Sequence, residues 1–289
     1  MLAYCDRPWN EPIGKMAPRY GEATPLRLAA NAVMAGCRPE YFPLVLLAIE
    51  ALCDRSLPPV ERALLCQRAE HEFAGVPCGI MDQFAVTLAR PGAALLIDCR
   101  DRETSDVPLG DAVAILVIDS GVSHSLADGG YAARRRECEA AACGLGVRSL
   151  REVSLLAWRA AERTLPEPDR RRARHVVTEN VRVLAFAAAA RGGDWATAGR
   201  LMNESHASLR DDFEVSCREL DLICEAVAPL AGVHGCRMTG GGFGGCAVAL
   251  VDAARAEAIV AAAGTACAAV LGSEPTMFLT RASAGARVA

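Results

Sequence analysis

Arg237-Met238-Thr239-Gly240-Gly241-Gly242-Phe243-Gly244-Gly245-Cys246-Ala247-Val248-Ala249-Leu250-Val251 decides how the chain is read. Five of the six positions from Gly240 to Gly245 are glycine. Glycine loses more conformational freedom on folding than any other residue, so so many in a row suit backbone that must be approached closely. Gly240, Gly242 and Gly245 satisfy G-x-G-x-x-G, but a dinucleotide fingerprint needs a strand before it and a helix after it. Here Gly235 to Thr239 reads as the strand before, and Cys246 to Val251 reads as a second strand. A strand, a glycine loop and a strand exclude that fingerprint and fit a nest whose N–H groups hold an anion or phosphate. A plain hairpin loop stays open at this point, although two glycines suffice for one.

Working outward, Ala253 to Val270 has the pattern of a helix and Thr276 to Thr280 that of a closing strand. Upstream lies a helical block, with Tyr131 to Cys143, Ser154 to Arg163, Arg174 to Arg191, Asp194 to Ser208 and Ser216 to Val227 all showing helical periodicity. Before it, Val113 to Asp119 reads as a strand, and Asp82 to Ala89 and Ala93 to Asp98 as two strands around the Pro91-Gly92 turn. Pro43 to Cys53 and Pro58 to Phe73 carry apolar residues at three- and four-residue spacing with proline at or before each start, so two helices are expected. Residues 1–42 hold Pro8, Pro12, Pro18, Pro25 and Pro39, which predict an irregular lead with one helix near Pro25 to Ala35. Strands that return after a helical block, without a regular strand-helix repeat, predict an α+β fold.

A length of 289 residues with 52% hydrophobic content can fill a sizeable core. Net charge is −4, and the Arg runs Arg134–Arg136 and Arg170–Arg172 are flanked by acids, so nucleic acid is not an expected partner. The apolar runs Leu44 to Ile49 and Leu184 to Ala190 fall short of a bilayer span, and Met1 to Asn10 lacks the pattern of a signal peptide. The expectation is a cytoplasmic protein with no membrane partner. The thirteen cysteines are scattered, odd in number and never spaced C-x-x-C, which predicts reduced thiols, most of them buried as small hydrophobes. The chain's single lysine, Lys15, lies in Gly14-Lys15-Met16, so no Walker P-loop can be built. Ser123-His124 and Ser205-His206 are adjacent pairs with no third partner in view, which makes a nucleophilic triad a poor reading.

A second stretch bears chemistry: Glu70-His71-Glu72-Phe73-Ala74-Gly75-Val76-Pro77-Cys78-Gly79-Ile80-Met81-Asp82-Gln83-Phe84. It runs from a helix end through a Gly and Pro turn to Asp82, which follows the apolar pair Ile80-Met81. A partly desolvated carboxylate there would be more basic and suited to take a proton from a hydroxyl. A turn or capping aspartate has the same spacing, and spacing alone does not choose.

The string from about Arg62 to Arg100, with V-P-C-G-I-M-D-Q-F at its centre, resembles the galactokinase segment around the catalytic aspartate. Galactokinases belong to the superfamily of galacto-, homoserine, mevalonate and phosphomevalonate kinases. The resemblance continues through Ile118-Asp119-Ser120-Gly121-Val122-Ser123-His124-Ser125-Leu126-Ala127, Tyr131-Ala132-Ala133-Arg134-Arg135-Arg136-Glu137-Cys138, His175-Val176-Val177-Thr178-Glu179-Asn180, Met202-Asn203-Glu204-Ser205-His206, the glycine loop and Glu274-Pro275-Thr276-Met277-Phe278. These cover roughly Leu47 to Val288 in order.

The resemblance implies a two-lobed small-molecule kinase fold and transfer of phosphate from ATP, with Mg2+, to the C1 hydroxyl of galactose or a related hexose. By the same implication Asp82 is the base, Glu70 the magnesium-binding carboxylate, Gly79 and Tyr131 the sugar-binding positions, and Gly240, Gly241, Gly242 and Gly244 the loop beside the transferring phosphate. Without it, Glu70 reads as a solvated helix acid and Tyr131 as a half-buried aromatic at a helix start. Phosphoryl transfer asks mainly for positioning and charge compensation, which such a set can supply.

Two family motifs find no match. Galactokinases open with G-R-x-N-x-x-G-E-H-x-D, which grips the sugar, and nothing in residues 1–46 resembles it. Where they carry P-x-G-x-G-L-S-S-S-A around the ATP phosphates, this chain reads Asn31-Ala32-Val33-Met34-Ala35-Gly36-Cys37-Arg38-Pro39-Glu40-Tyr41. The expected organisation is therefore an atypical segment over 1–42, a remnant of the N-terminal kinase lobe over 43–110, truncated or replaced at its start, and a C-terminal kinase domain over 111–289. Besides a kinase, a non-catalytic sugar-sensing or regulatory relative and a non-functional truncated product fit these motifs.

Overall fold

The computed structural model describes residues 14–16, 21–23, 57–74, 78–122 and 130–286. Of these, residues up to Asp106 with those from Ala282 form one compact unit, and Val107 to Arg281 form a second. The helices expected over 25–35 and 43–53 lie outside the described residues.

In the first unit, β1 (Gly14–Met16) and β2 (Gly21–Ala23) form a short antiparallel pair, Gly14 opposite Ala23, where an irregular lead was expected. Helix α1 (Pro59–Ala69) starts as its prolines dictate, with Pro58 at the N-cap and Glu61 in the first turn. A turn of π-helix, Glu70–Ala74, extends it. Met81–Leu88 is helix α2, and the expectation of a strand over Asp82 to Ala89 is wrong. Gln83, Phe84 and Thr87 are its buried residues, a one-and-four spacing that a strand cannot turn to one side. Phe84 is fully buried against Ala63 and Ile80, with Leu95 and Ile97 packed alongside. The partner of β3 (Ala93–Asp98) is β4 (Glu103–Pro108), a strand whose polar sequence hid it. Gly285 N–H donates to the Ala89 carbonyl at 2.8 Å and Gly92 N–H to that of Ala282 at 3.0 Å, so the segment 282–286 runs along the end of α2.

The second unit is built on an antiparallel sheet of order β6-β7-β5-β8, from β5 (Val113–Asp119), β6 (Val233–Met238), β7 (Cys246–Asp252) and β8 (Met277–Thr280). The helices are α3 (Gly130–Gly144), α4 (Leu155–Ala161), α5 (Asp169–Arg191), α6 (Trp195–Asp211), α7 (Arg218–Val227) and α8 (Ala256–Leu271). Alternate residues of β5 (Ala114, Leu116, Ile118) and β7 (Ala247, Ala249, Val251) are buried in one cluster with Leu220, Ile223 and Val227 of α7 and Ile259, Ala263 and Cys267 of α8. The strand period of two meets helical faces at three and four.

Ala253–Leu271 is, among the described residues, the one helical stretch long and apolar enough to cross a membrane, with mean hydropathy 1.5. This corrects the expectation that every apolar run falls short. Ala256, Ile259, Ala263, Gly264 and Cys267 form its buried face, at the spacing of a sheet-covering helix. The ten described cysteines are free, as expected of reduced thiols, but only Cys66, Cys224, Cys236 and Cys267 are buried, while Cys99 and Cys143 are exposed.

Strand β6 is an edge of the sheet, and α6 closes that edge. A Cβ on Gly199 would lie 1.8 Å from the His234 carbonyl oxygen, and one on Gly235 would lie 2.1 Å from that of Gly199. The two backbones touch because neither residue carries a side chain. Further along, Asn203 Oδ1 accepts from Cys236 N–H at 2.8 Å and His206 Nδ1 from Met238 N–H at 3.3 Å. The outward N–H groups that an edge strand leaves unpaired are thus met by side chains of the Met202-to-His206 motif. Ser205 donates to Glu179 of α5, and Arg237 lies 3.4 Å from the same carboxylate.

Behind the seam, His175 Nδ1 is 2.9 Å from Ser208 Oγ, whose hydroxyl donates to Asp212 Oδ2 at 3.3 Å. The imidazole stacks on Phe213 at 4.5 Å. Burial pushes the His175 pKa from 6.5 down to about 4, against an opposing pull from Glu179.

Two outcomes are expected. Gly199→Ala should cost about 3 kcal/mol or more, because the new methyl meets backbone that cannot rotate away; a lowered urea midpoint with an unchanged slope would register it. His175 is neutral in the fold and takes a proton more readily when unfolded. Its contribution is complete above pH 6.5 and is lost as pH falls toward 4, totalling roughly 3 kcal/mol. His175→Phe should flatten that part of the stability curve between pH 7 and pH 4, measured by denaturant unfolding against wild type.

Candidate active site

In the first unit, three side chains from α1 and its π turn hold the turn that carries Gly79 and leads to Asp82. Gln67 Nε2 donates to the Cys78 carbonyl at 3.4 Å, and His71 Nε2 lies 2.8 Å from the same oxygen. A carbonyl only accepts, so that imidazole nitrogen carries the proton. Glu70 accepts from Gln83 Nε2, which also approaches Cys78 Sγ at 3.7 Å. Burial, reinforced by the hydrogen bond and charge of Glu70, pushes the Cys78 thiol up to about 12 and keeps it protonated.

Glu70 is 4% exposed. It is a buried, hydrogen-bonded carboxylate and not a solvated helix acid. Asp82, in the first turn of α2, is exposed, so of the two settings that spacing left open for it the desolvated one is not observed. Gly79 is exposed, and no described atom lies within 4 Å of where its Cβ would be. Its backbone is not in the left-handed region either, so neither packing nor conformation requires glycine there.

In the second unit, the glycine loop connects β6 to β7. Gly240, Gly242, Gly244 and Gly245 have φ of 79°, 87°, 146° and 81°, and Phe243 has 62°, so four of the five glycines occupy conformations that L residues rarely adopt. Thr239 N–H donates to the Cys246 carbonyl at 2.9 Å and closes the hairpin base. Phe243 N–H donates to the Val215 carbonyl at 2.6 Å, and Gly245 N–H to that of Val122 at 2.9 Å. Among the described residues, the N–H groups of Gly240, Gly241, Gly242 and Gly244 make no backbone hydrogen bond. They are the four positions expected to lie beside a phosphate.

Val215 belongs to a segment that sequence reading missed. A Cβ on Gly242 would sit 2.2 Å from its carbonyl oxygen, so the loop is pressed against it. Arg172, 2% exposed, donates to the Asp212 carbonyl at 2.6 Å, to Glu214 Oε2 at 2.6 Å and to Glu137 Oε2 at 2.7 Å. Arg134 also donates to Glu137 at 2.8 Å. Burial opposes ionisation of Glu137, but Arg172 and Arg134 outweigh it and hold its carboxyl below the usual range. A sequence signal existed in the flanked Arg runs: Arg134 and Arg172, one from each run, turn inward here, while Arg135 and Arg136 stay exposed.

The loop also meets the start of α3. A Cβ on Gly130 would lie 2.8 Å from the Phe243 ring, so the ring rests on the residue before Tyr131. Tyr131 is the second residue of α3, and its side chain lies outside the described residues. Glu70, Gly79 and Asp82 thus share the first unit, while the start of α3 and the glycine loop share the second.

For Mg2+, which prefers hard oxygens and completes its shell with phosphates and water, the Glu70 carboxylate and the buried, unpartnered Gln83 Oε1 are suitable donors. Among the described residues no three His, Cys, Asp or Glu side chains gather as a metal cluster. For the ATP phosphates, the four unpaired loop N–H groups fit in number and polarity. An open cleft of about 410 Å³ beside α7, lined by Arg210, Ser216, Arg218 and Asp221 among others, holds none of the expected site residues.

Family models described as GHMP kinases N terminal domain and GHMP kinases C terminal match residues 44–90 and 185–269. Human galactokinase is 51% identical over 241 residues, which are 83% of this chain and 60% of the human protein. Galactokinase of Mycobacterium tuberculosis strain H37Ra is 44% identical over 262 residues, covering 90% of this chain and 70% of that protein. The crystal structure of Lactococcus lactis galactokinase complexed with galactose superposes with a TM-score of 0.79 at 33% identity, covering 84% of this chain and 64% of that one. The chain spans 54–60% of the length of the mammalian relatives it matches. By this similarity, and by the mixed helix-and-strand architecture that carries it, the chain belongs to the galactokinase family of the GHMP kinases.

Proposed function

We propose that this chain is the larger part, or the whole, of a sugar kinase that transfers the γ-phosphoryl group of ATP to the C1 hydroxyl of galactose or a related hexose. The observation that carries the reading is the glycine loop, with four N–H groups that make no backbone hydrogen bond among the described residues. Oxygens of a transferring phosphate would accept from them, and the loop, already held in shape, would not reorganise during the reaction.

Asp82 takes the proton of the C1 hydroxyl as that oxygen bonds to the γ-phosphorus and the bond to the ADP oxygen breaks. Its exposed place at the start of α2 leaves it accessible to a sugar. Gly79 gives the sugar ring room, and Tyr131 hydrogen-bonds it. Glu70 holds magnesium, which offsets charge on the ATP phosphates. The lobes are assigned as 43–110 and 111–289, with 1–42 outside the family motifs, and the protein to the cytoplasm.

A second reading, a galactose-binding relative without turnover, is favoured by one observation. Residues 31–41 carry one glycine and no serine where the family has a glycine- and serine-rich phosphate loop.

A coupled ADP-release assay with galactose, ATP and Mg2+ separates the two. Sugar-dependent release that falls roughly a hundredfold or more in Asp82→Ala supports the kinase, whereas heat on galactose addition without ADP release supports the binder. Gly242→Ala places a methyl against the Val215 carbonyl at φ +87°, and its expected effect is a raised KM for ATP with the KM for galactose little changed. Equal rises in both constants would show that the loop does not serve the nucleotide alone.

A further inference from the structure

Gln83 is 3% exposed and buries a complete amide. Its Nε2 is occupied by Glu70 and approaches Cys78 Sγ. Its Oε1 is buried with no hydrogen-bond partner among the described residues. A carbonyl stranded in this way costs free energy and calls for a reason. Reversing the amide gives no relief, because it would set a carbonyl against the Glu70 carboxylate and strand two N–H donors instead. Gln67 of α1 and His71 of the π turn are both directed to the Cys78 carbonyl instead. Side by side, therefore, are a buried carboxylate and a buried carbonyl that lacks a donor, two hard oxygen groups on one side-chain pair.

We propose that Gln83 is the second protein oxygen of the divalent-cation site to which Glu70 belongs: Nε2 fixes the Glu70 carboxylate, and Oε1 faces the cation directly or through a water bound to it. This rests on the reading of Glu70 as the metal-binding carboxylate. A hydrated hard cation satisfies both groups at once, which an apolar neighbour or a lone donor would not. The amide orients the carboxylate as outer-shell partners orient metal ligands generally.

The test is Mn2+ binding by the full chain without nucleotide, followed by loss of the free-ion electron paramagnetic resonance signal, with unfolding temperature in Mg2+ as a second readout. Wild type should bind, and Glu70→Gln should not. Gln83→Met, similar in volume but without the amide, should weaken Mn2+ binding roughly tenfold or more and lose stabilisation by Mg2+. Gln83→Glu should bind Mn2+ at least as tightly as wild type, because a cation bridges the two carboxylates, whereas a merely structural amide predicts a less stable protein with no gain in metal. Unchanged Mn2+ affinity in Gln83→Met, a Gln83→Glu variant as weak as Gln83→Met, or no Glu70-dependent binding in wild type would overturn the proposal. If Gln83→Met does not fold, Gln83→Glu alone decides between the two roles. Turnover that depends on Asp82 alongside unchanged Mn2+ affinity in Gln83→Met would sink this site and leave the kinase reading standing, and Mn2+ binding without turnover would do the reverse.

Discussion

Helix α6 lies against the free edge of β6 so closely that neither Gly199 nor Gly235 has room for a methyl group, and the second unit depends on that contact. An edge strand ordinarily exposes a row of N–H and C=O groups that water or another strand must satisfy. Here Asn203 and His206 take those of Cys236 and Met238, so the strand entering the glycine loop is fixed on both sides. The opposite edge is β8, only four residues long, with Phe278 and Leu279 exposed. One edge is closed by a helix and the other kept short.

The loop itself is strained backbone held by its surroundings. Phe243 at positive φ is an unfavourable choice for an aromatic residue, and it persists because its N–H reaches Val215 while its ring settles on Gly130. Val215 is in turn positioned by Arg172, whose buried charge is matched by Glu137 and Glu214. Such an ion cluster adds little net stability against an apolar equivalent, but losing one member leaves a buried charge alone. Its effect is on shape: it leaves the segment 212–216 one place to be.

Much of this could be read from residues. The strand, glycine loop and strand around Gly240 announced themselves by composition, and the helices over Tyr131 to Val227 by period. Met81–Leu88 was misread because a short apolar run looks alike as strand or buried helix, and only the neighbouring α1 and β3, which bury Phe84, decide between them. Strand β4 escaped because Glu103, Thr104, Ser105 and Asp106 have no apolar face to signal. At the candidate site, the carboxylates and glycines were visible as residue types. Burial of Glu70, exposure of Asp82 and the hold of Gln67 and His71 on Cys78 were not, because each depends on which side of a helix faces the next element.

Gly79 and Gly242 are both glycines in a candidate site, yet they answer to different pressures. At Gly242 the fold objects to any side chain, through φ and through Val215. At Gly79 no described part of the protein objects. Variants selected for stability alone would drift freely at Gly79 and stay fixed at Gly242. Persistence of glycine at the first position in a lineage would then record an occupied binding site, and its loss would date the moment when the site fell out of use.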